Sequence, residues 1–325
     1  MLVERSGSQI NGDFKGKDIL SLSQFTPQDI DILFQETPRM KAVVEHKQRL
    51  TDLHGQVITL LFYEPSSRTY GSFASAIQRL NGGIIPVQNP ETVASVAKGE
   101  TLEDTVKTFE CWSDGIVLRS KNPGDTARAA NAALYIPVFN AGDGIGEHPT
   151  QALYDLYTIQ ERFGRLDHLT GIVVGDLLNG RTVHSLVKGL SLYEGNTIYS
   201  LSPERLRLPQ NEIVDLIQRG LKFIEIDTVN DIPLEANFWY WTRVQKERFS
   251  SSEEYEQVKY QFVLTPKLVQ AYGNEQMIIM HPLPRAGEID LAVDTDPRSV
   301  YLRRQMRNGL YIRMALLSLV IGNNL

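Results

Sequence analysis

Cysteine is almost absent from this 325-residue chain, where Cys111 stands alone. A single thiol makes no internal disulfide and no cysteine-rich zinc centre, so a disulfide-stapled scaffold is excluded and a reducing compartment fits. Also missing is any run approaching the roughly 18 apolar residues of a membrane-spanning helix. Positive charge is in deficit, with 33 Lys and Arg against 39 Asp and Glu for a net charge of -6, which argues against a protein that coats nucleic acid or a membrane surface. Residues 1–16 carry charges and no apolar core, so no secretory signal is expected and the expected setting is the cytosol. Internal repeats, low-complexity tracts and long charge runs are lacking too.

What is present is a globular composition, 42% hydrophobic and 22% charged, at a length that suggests two domains of about 150 residues each. Nine short aliphatic or β-branched runs recur: Gln56–Phe62, Gly83–Val87, Gly115–Leu118, Ile136–Phe139, Thr170–Val174, Asn196–Ser200, Lys222–Ile226, Phe238–Trp241 and Met277–Met280. A polar turn and a segment of helical spacing follow each. Strands that are apolar on both faces are what a parallel sheet covered by helices requires. Between them, Ser66–Leu80 gathers Phe73, Ala76, Ile77 and Leu80 on one helical face, and Pro149–Phe163 gathers Leu153, Leu156, Tyr157 and Ile159. Thr26-Pro27 supplies an N-cap and a first-turn proline for a helix over 27–47. The fold class is α/β, with doubly wound parallel sheets. One sheet of nine strands would be large, so two domains divided near His148 are expected. Tyr301–Ile321 reads as a long amphipathic helix interrupted at Asn308-Gly309, able to close either domain.

In parallel α/β sheets, ligands collect at the carboxyl ends of strands, where loops enter helix N-termini. Gln56–Phe62 runs into Tyr63-Glu64-Pro65-Ser66-Ser67-Arg68-Thr69. Hydroxyls, helix-start amides and a guanidinium together make a site of phosphate size. A capping serine beside an exposed arginine is the alternative, and for that run alone the stronger one. Arg119 closes the run Gly115–Leu118 and gains weight only if it converges with Arg68. Ile136–Phe139 leads through a glycine-rich loop to His148-Pro149-Thr150-Gln151. The helix dipole there favours neutral imidazole, whose N–H can donate to a carbonyl oxygen gaining negative charge; a histidine that only caps its helix competes with that reading. His46, His54, His168 and His184 lack ligand spacing and are expected to be structural, with no metal site.

Gly175–Thr182 nearly spells a phosphate-binding P-loop. Arg181 stands where lysine is needed, and no convincing acidic partner strand for magnesium follows, which weakens a nucleotide site. Arg181 at a strand mouth suits a carboxylate instead, and Arg243 with Gln245 after Phe238–Trp241 suits another. Met277–Met280 enters His281-Pro282-Leu283-Pro284-Arg285, whose prolines have no N–H and leave carbonyls to accept from an amino or amide group. Three anion sites in two halves, one imidazole, free carbonyls and no evident nucleophile suggest two small anionic substrates brought together between domains. They disfavour hydrolysis through a covalent enzyme intermediate.

At these residues the chain resembles the aspartate/ornithine carbamoyltransferase family over nearly its whole length. Ser66-Ser67-Arg68-Thr69 matches the family's S-T-R-T motif with Ser67 in place of threonine, Lys98-Gly99-Glu100-Thr101-Leu102 its K-G-E-T-L loop, and His148-Pro149-Thr150-Gln151 its H-P-T-Q. Gly180–Leu186, Arg243–Arg248 and His281–Arg285 continue the series in family order. Tyr70 departs from it, standing where many relatives carry a second arginine. The ornithine-specific members use H-C-L-P and bind a cationic side chain. Here Pro282 replaces that cysteine, and Arg243 with Gln245 suits an acidic one, so the resemblance is to the aspartate-specific members.

The resemblance implies a carbamoyl-phosphate-binding domain over 1–148, completed by a C-terminal helix over 303–325 that packs back on it, and an aspartate-binding domain over 149–302. It implies cofactor-free transfer of the carbamoyl group of carbamoyl phosphate to the amine of L-aspartate, an early step of de novo pyrimidine biosynthesis. Ser66, Ser67, Arg68, Thr69 and Arg119 would hold the phosphate, and Arg68, Thr69 and His148 would polarise the carbonyl. Gln151 and the carbonyls of Leu283 and Pro284 would receive the carbamoyl amino group. Arg181 would take the aspartate α-carboxylate, and Arg243 with Gln245 its side-chain carboxylate. Lys98, with Ser95 near it, would reach in from a neighbouring subunit of a homotrimer with shared active sites, and any separate regulatory chain would act in trans. The competing readings are transfer to another amino acceptor, a P-loop-like kinase, and a binding subunit without activity. The last is disfavoured because Arg68, Lys98, Arg119, His148, Arg181 and Arg243 are all present.

Overall fold

The structure, a computed structural model of the full chain, describes residues 8–90, 99–144 and 146–323. The chain divides into two units, Met1–Tyr154 with Arg307–Leu325, and Asp155–Met306. The first holds strands β1 (Val57–Phe62), β2 (Gly83–Gln88), β3 (Gly115–Ser120) and β4 (Val138–Asp143) in one sheet of order β2-β1-β3-β4, with every pairing parallel. β3 and β4 are buried throughout and β1 nearly so, which is why they read as unbroken apolar runs. β2 lies at the edge and is half-exposed, a position that tolerates the missing N–H of Pro86. Helices α1 (Pro27–Glu45), α2 (Ser67–Arg79), α3 (Leu102–Glu110) and α4 (Asp125–Ala132) accompany it. Thr26 caps α1 in a reciprocal box with Asp29. That helix stops at Glu45, short of residue 47, because Lys47 adopts a left-handed φ of 54°.

The second unit holds β5 (Thr170–Val174), β6 (Thr197–Leu201), β7 (Lys222–Ile226), β8 (Phe238–Trp241) and β9 (Ile278–Met280) in the order β7-β6-β5-β8-β9, again all parallel. All nine apolar runs are therefore strands, in two doubly wound sheets. Its core packs Ile172, Val174, Trp239, Trp241, Ile279 and Tyr301. Helix α5 (Pro149–Phe163) starts in the first unit, and α6 (Arg181–Leu190), α7 (Gln210–Gln218), α8 (Ser252–Val258) and α9 (Pro266–Tyr272) lie in the second.

The last helix, α10 (Arg304–Val320), runs unbroken through Asn308-Gly309, correcting the expected interruption. Gly309 marks a close approach: a Cβ there would come within 3.1 Å of the Tyr154 ring. Packing at this contact outweighs the roughly 1 kcal/mol helix penalty of glycine. The buried Arg313 donates to Ser72 Oγ at 2.9 Å and Thr150 Oγ1 at 3.2 Å, with its guanidinium over the Phe73 and Tyr154 rings. Val320 O accepts from Gly16 N at 2.9 Å. The C-terminal helix thus closes the first unit. No described helix is long and apolar enough to cross a membrane.

In each sheet the chain leaves one neighbouring strand pair in opposite directions. From β1 it goes out to β2, and from β3 to β4; from β5 it goes to β6, and from β8 to β9. Loops diverge at such switch points and leave a crevice beyond the strand ends.

Candidate active site

At the first switch point, β1 leads into Ser66–Thr69 at the start of α2, and β3 carries Arg119 in register with Phe62. Ser66 occupies the N-cap with an extended backbone, yet its side chain makes no capping bond. Its hydroxyl, unlike that of Thr26, is not consumed by its own helix, which removes the support for a purely capping serine. Arg68 is exposed and makes no side-chain hydrogen bond or ion pair among the described residues. Its charge is felt by Arg119, so the two guanidinium groups do converge. Arg119 is 8% exposed. Its Nη1 donates to Ala141 O at 3.0 Å and its Nη2 pairs with Glu64 at 2.6 Å, while its Nε has no hydrogen-bond partner among the described residues. Burial holds the Arg119 pKa below the usual arginine value; Glu64 opposes that shift and Arg68 adds to it. Two cations against one carboxylate, with a buried N–H to spare, leave a site that gains from a bound anion.

Thr69 is buried one turn into α2. His148 is also buried, directly before α5, and its carbonyl accepts the amides of Gln151 and Ala152. Gln151 is buried with its Oε1 taking the Tyr154 hydroxyl. Tyr70 packs edge-on against Phe62 at 5.3 Å between ring centroids. Lys98 and Ser95 lie outside the described residues.

At the second switch point, β5 is followed by Gly175 at φ 115°, where a Cβ would fall 2.1 Å from Thr242 O; only glycine fits. Asp176 is wholly buried, and its carboxylate accepts from Asn179 N at 3.0 Å, Asn179 Nδ2 at 3.1 Å and Gln245 N at 3.2 Å. Burial nonetheless pushes its carboxyl above the usual range. The Asn179 amide is thus turned onto an internal acid, and an acid at the loop's centre suits no phosphate cradle, so the P-loop reading loses its ground. Gln245 Nε2 donates to Asn179 O at 2.7 Å, which ties the loop after β8 to the loop carrying Arg181, the first residue of α6. Arg243 is gripped by both carboxylate oxygens of Glu247, which raises the arginine pKa and lowers that of the acid. Beyond β9, neither Leu283 O nor Pro284 O accepts a hydrogen bond among the described residues.

His184 is structural, as its spacing suggested. Its Nε2 lies 2.7 Å from Leu177 O and its Nδ1 3.2 Å from Glu212, so both ring nitrogens face acceptors. Burial alone would lower its pKa, but the bonds to Glu212 and Leu177 outweigh that and raise it. The stability it contributes is complete below the unfolded histidine value near 6.5 and is lost as pH rises through the elevated folded value. Urea melts of wild type and His184→Gln from about pH 6 to about pH 9 should therefore show a stability gap that is widest at the acid end. A gap that grows with pH would contradict this assignment.

Four carboxylates at these mouths escaped the sequence: Glu64, Asp176, Glu247 and Glu288. Glu247 had a signal, four residues beyond Arg243; Asp176 had one too, directly behind the glycine that follows β5. Among the described residues no cluster of His, Cys, Asp and Glu is placed to hold a metal ion.

Two parallel sheets with cations at both switch points, and an acid where a nucleotide loop needs amides, define an α/β protein with two anion-accepting strand mouths. The chain belongs to the aspartate/ornithine carbamoyltransferases: the family's carbamoyl-P binding domain matches residues 17–161, and its Asp/Orn binding domain residues 167–320. It is 45% identical over 95% of its length to the multifunctional protein CAD of Squalus acanthias, of which it spans only 14%. With the aspartate carbamoyltransferase catalytic subunit of Thermococcus gammatolerans it shares 41% identity, covering 95% of this chain and 99% of that one. Aspartate transcarbamoylase from Trypanosoma cruzi, solved in complex with carbamoyl phosphate and aspartate, superposes with a TM-score of 0.86 at 35% identity, over 95% of this chain and 96% of that one.

Proposed function

We propose that this chain transfers the carbamoyl group of carbamoyl phosphate to the amine of L-aspartate, giving N-carbamoyl-L-aspartate and phosphate in an early step of pyrimidine biosynthesis. The observation that carries it is the pair of cationic sites at the two switch points, with two acceptor carbonyls in the loop after β9 and a buried imidazole in the loop after β4. In this reading the unit containing β1–β4 takes carbamoyl phosphate, through Ser66, Ser67, Arg68, Thr69 and Arg119. The unit containing β5–β9 takes aspartate, through Arg181, Arg243 and Gln245. The amine attacks the carbamoyl carbon. Arg68, Thr69 and His148 stabilise the oxygen as it gains charge, while Gln151, Leu283 and Pro284 hold the amino group. The tetrahedral intermediate then expels phosphate, which takes up the amine's proton. Lys98 acts on the aspartate side from a neighbouring subunit of a homotrimer in the cytoplasm, and a regulatory chain, where there is one, binds in trans.

A steady-state assay with aspartate and ornithine side by side tests the assignment. Carbamoyl-aspartate should form only when both substrates are present, and ornithine should give no product. Rapid phosphate release without any acceptor would overturn the direct-attack mechanism, and comparable turnover of ornithine would overturn the acceptor.

A further inference from the structure

The loop that follows β9 is built around a buried pair that the chemistry above does not use. His281 is fully buried, with its Nε2 2.7 Å from Glu288 Oε1, and Glu288 is buried beside it. On the other side of the ring, Nδ1 accepts the Leu283 N–H at 2.8 Å. Glu288 uses its second oxygen to accept the Ala286 N–H at 2.8 Å, and the main-chain N–H of His281 donates to Gln305 Oε1 at 3.0 Å. Since Nδ1 must be an acceptor, the ring proton sits on Nε2, and the carboxylate fixes that tautomer. Burial lowers the histidine pKa more than Glu288 raises it, and the bond from His281 holds Glu288 below its usual range against burial. A neutral imidazole therefore donates to an ionised acid.

Leu283 needs this support. It sits at φ 53°, a left-handed conformation disfavoured for any residue with a Cβ. Its side chain packs on the core of the second unit, and its N–H goes to His281. With both ends fixed, its own carbonyl and that of Pro284 accept no hydrogen bond among the described residues. We propose that the His281–Glu288 pair positions these two carbonyls for the carbamoyl amino group, and thereby makes the donor site select a carbamoyl over an acyl phosphate that has no N–H. This inference rests on the reading of those carbonyls as acceptors for that group.

The probe is acetyl phosphate, which carries a methyl where carbamoyl phosphate carries the amino group. KM for carbamoyl phosphate is compared with inhibition constants for acetyl phosphate and inorganic phosphate, using the full chain. Wild type should favour carbamoyl over acetyl phosphate by at least about tenfold, the discrimination expected of a site built to bind a donor. His281→Leu should lose about tenfold of that preference while its affinity for inorganic phosphate stays within about twofold. His281→Asn should recover most of it, because an asparagine oxygen can accept the N–H two residues on. Glu288→Gln, which keeps the volume but can accept from only one of the two N–H groups that the carboxylate holds, should lose the preference as the leucine variant does and serves as the second arm if that variant fails to fold. If wild type discriminates and both variants discriminate equally well, the positioning role is wrong and the carbonyl reading stands. Equal losses for all three ligands would also refute it, since a merely structural role predicts that. A wild type with no preference would instead sink the carbonyl reading itself.

Discussion

Replacing Arg68 with alanine should remove most turnover while leaving the fold as stable as before, or more so. Arg68 is exposed and makes no side-chain bond among the described residues, so the folded protein loses no contact with it. What it does contribute in the free protein is repulsion of Arg119, whose pKa is held down by burial and further by this neighbour. Truncation relieves that repulsion. In the reaction the same guanidinium would face phosphate and the oxygen that gains charge, and loss of one such donor typically costs about 2.7–4 kcal/mol, or 10²–10³ in kcat. The pattern to measure is a kcat lowered by about that factor beside an unchanged or raised melting temperature, the signature of a group kept for function at the expense of stability. Arg119→Ala is the contrast. It is buried and bonded to Glu64 and Ala141, so its removal should lower both activity and melting temperature, because both bonds and the packing of a buried side chain are lost. Arg68→Ala with turnover within a few-fold of wild type would place the phosphate elsewhere.

What the sequence disclosed and what it withheld divide along a physical line. The strands were legible because burial on both faces leaves an apolar run, and the cations were legible because they close those runs at the strand ends. Arg68, Arg119, Arg181 and Arg243 could be named from order alone. Glu247 could be read from its spacing to Arg243, but contacts between loops could not, since whether Glu64 meets Arg119 or Asp176 meets the Gln245 amide depends on which strands lie side by side. The unbroken α10 was hidden for the same reason: Gly309 looks like a break until the Tyr154 ring is seen resting on it. Ser66 shows the converse limit. Its position fits an N-cap, and only the geometry shows a hydroxyl that its helix does not use. His281 reads as a motif letter in sequence, and its role in holding Leu283 emerges only from the bonds on both sides of its ring.

Arg243→Ala should be the most damaging change on the acceptor side, and its effect should fall on aspartate alone. Removing one partner of a desolvated charge pair costs about 2–5 kcal/mol, so aspartate KM should rise, or kcat/KM for aspartate fall, by roughly 10²-fold or more, while KM for carbamoyl phosphate stays near wild type. Glu247 decides how that arginine is presented. Its carboxylate grips the guanidinium through both Nη atoms, and this both orients the fork and competes with a substrate carboxylate for it. The balance follows from exposure: the Glu247 side chain is 53% exposed, and a pair of that kind is worth only about 0–1 kcal/mol. Either tendency in Glu247→Gln should therefore move aspartate KM by less than about tenfold, far below the effect of losing the arginine itself. A rise within that range means orientation dominates, and a fall means competition does. Aspartate turnover intact in Arg243→Ala, or an equal loss of affinity for both substrates, would remove Arg243 from the acceptor site.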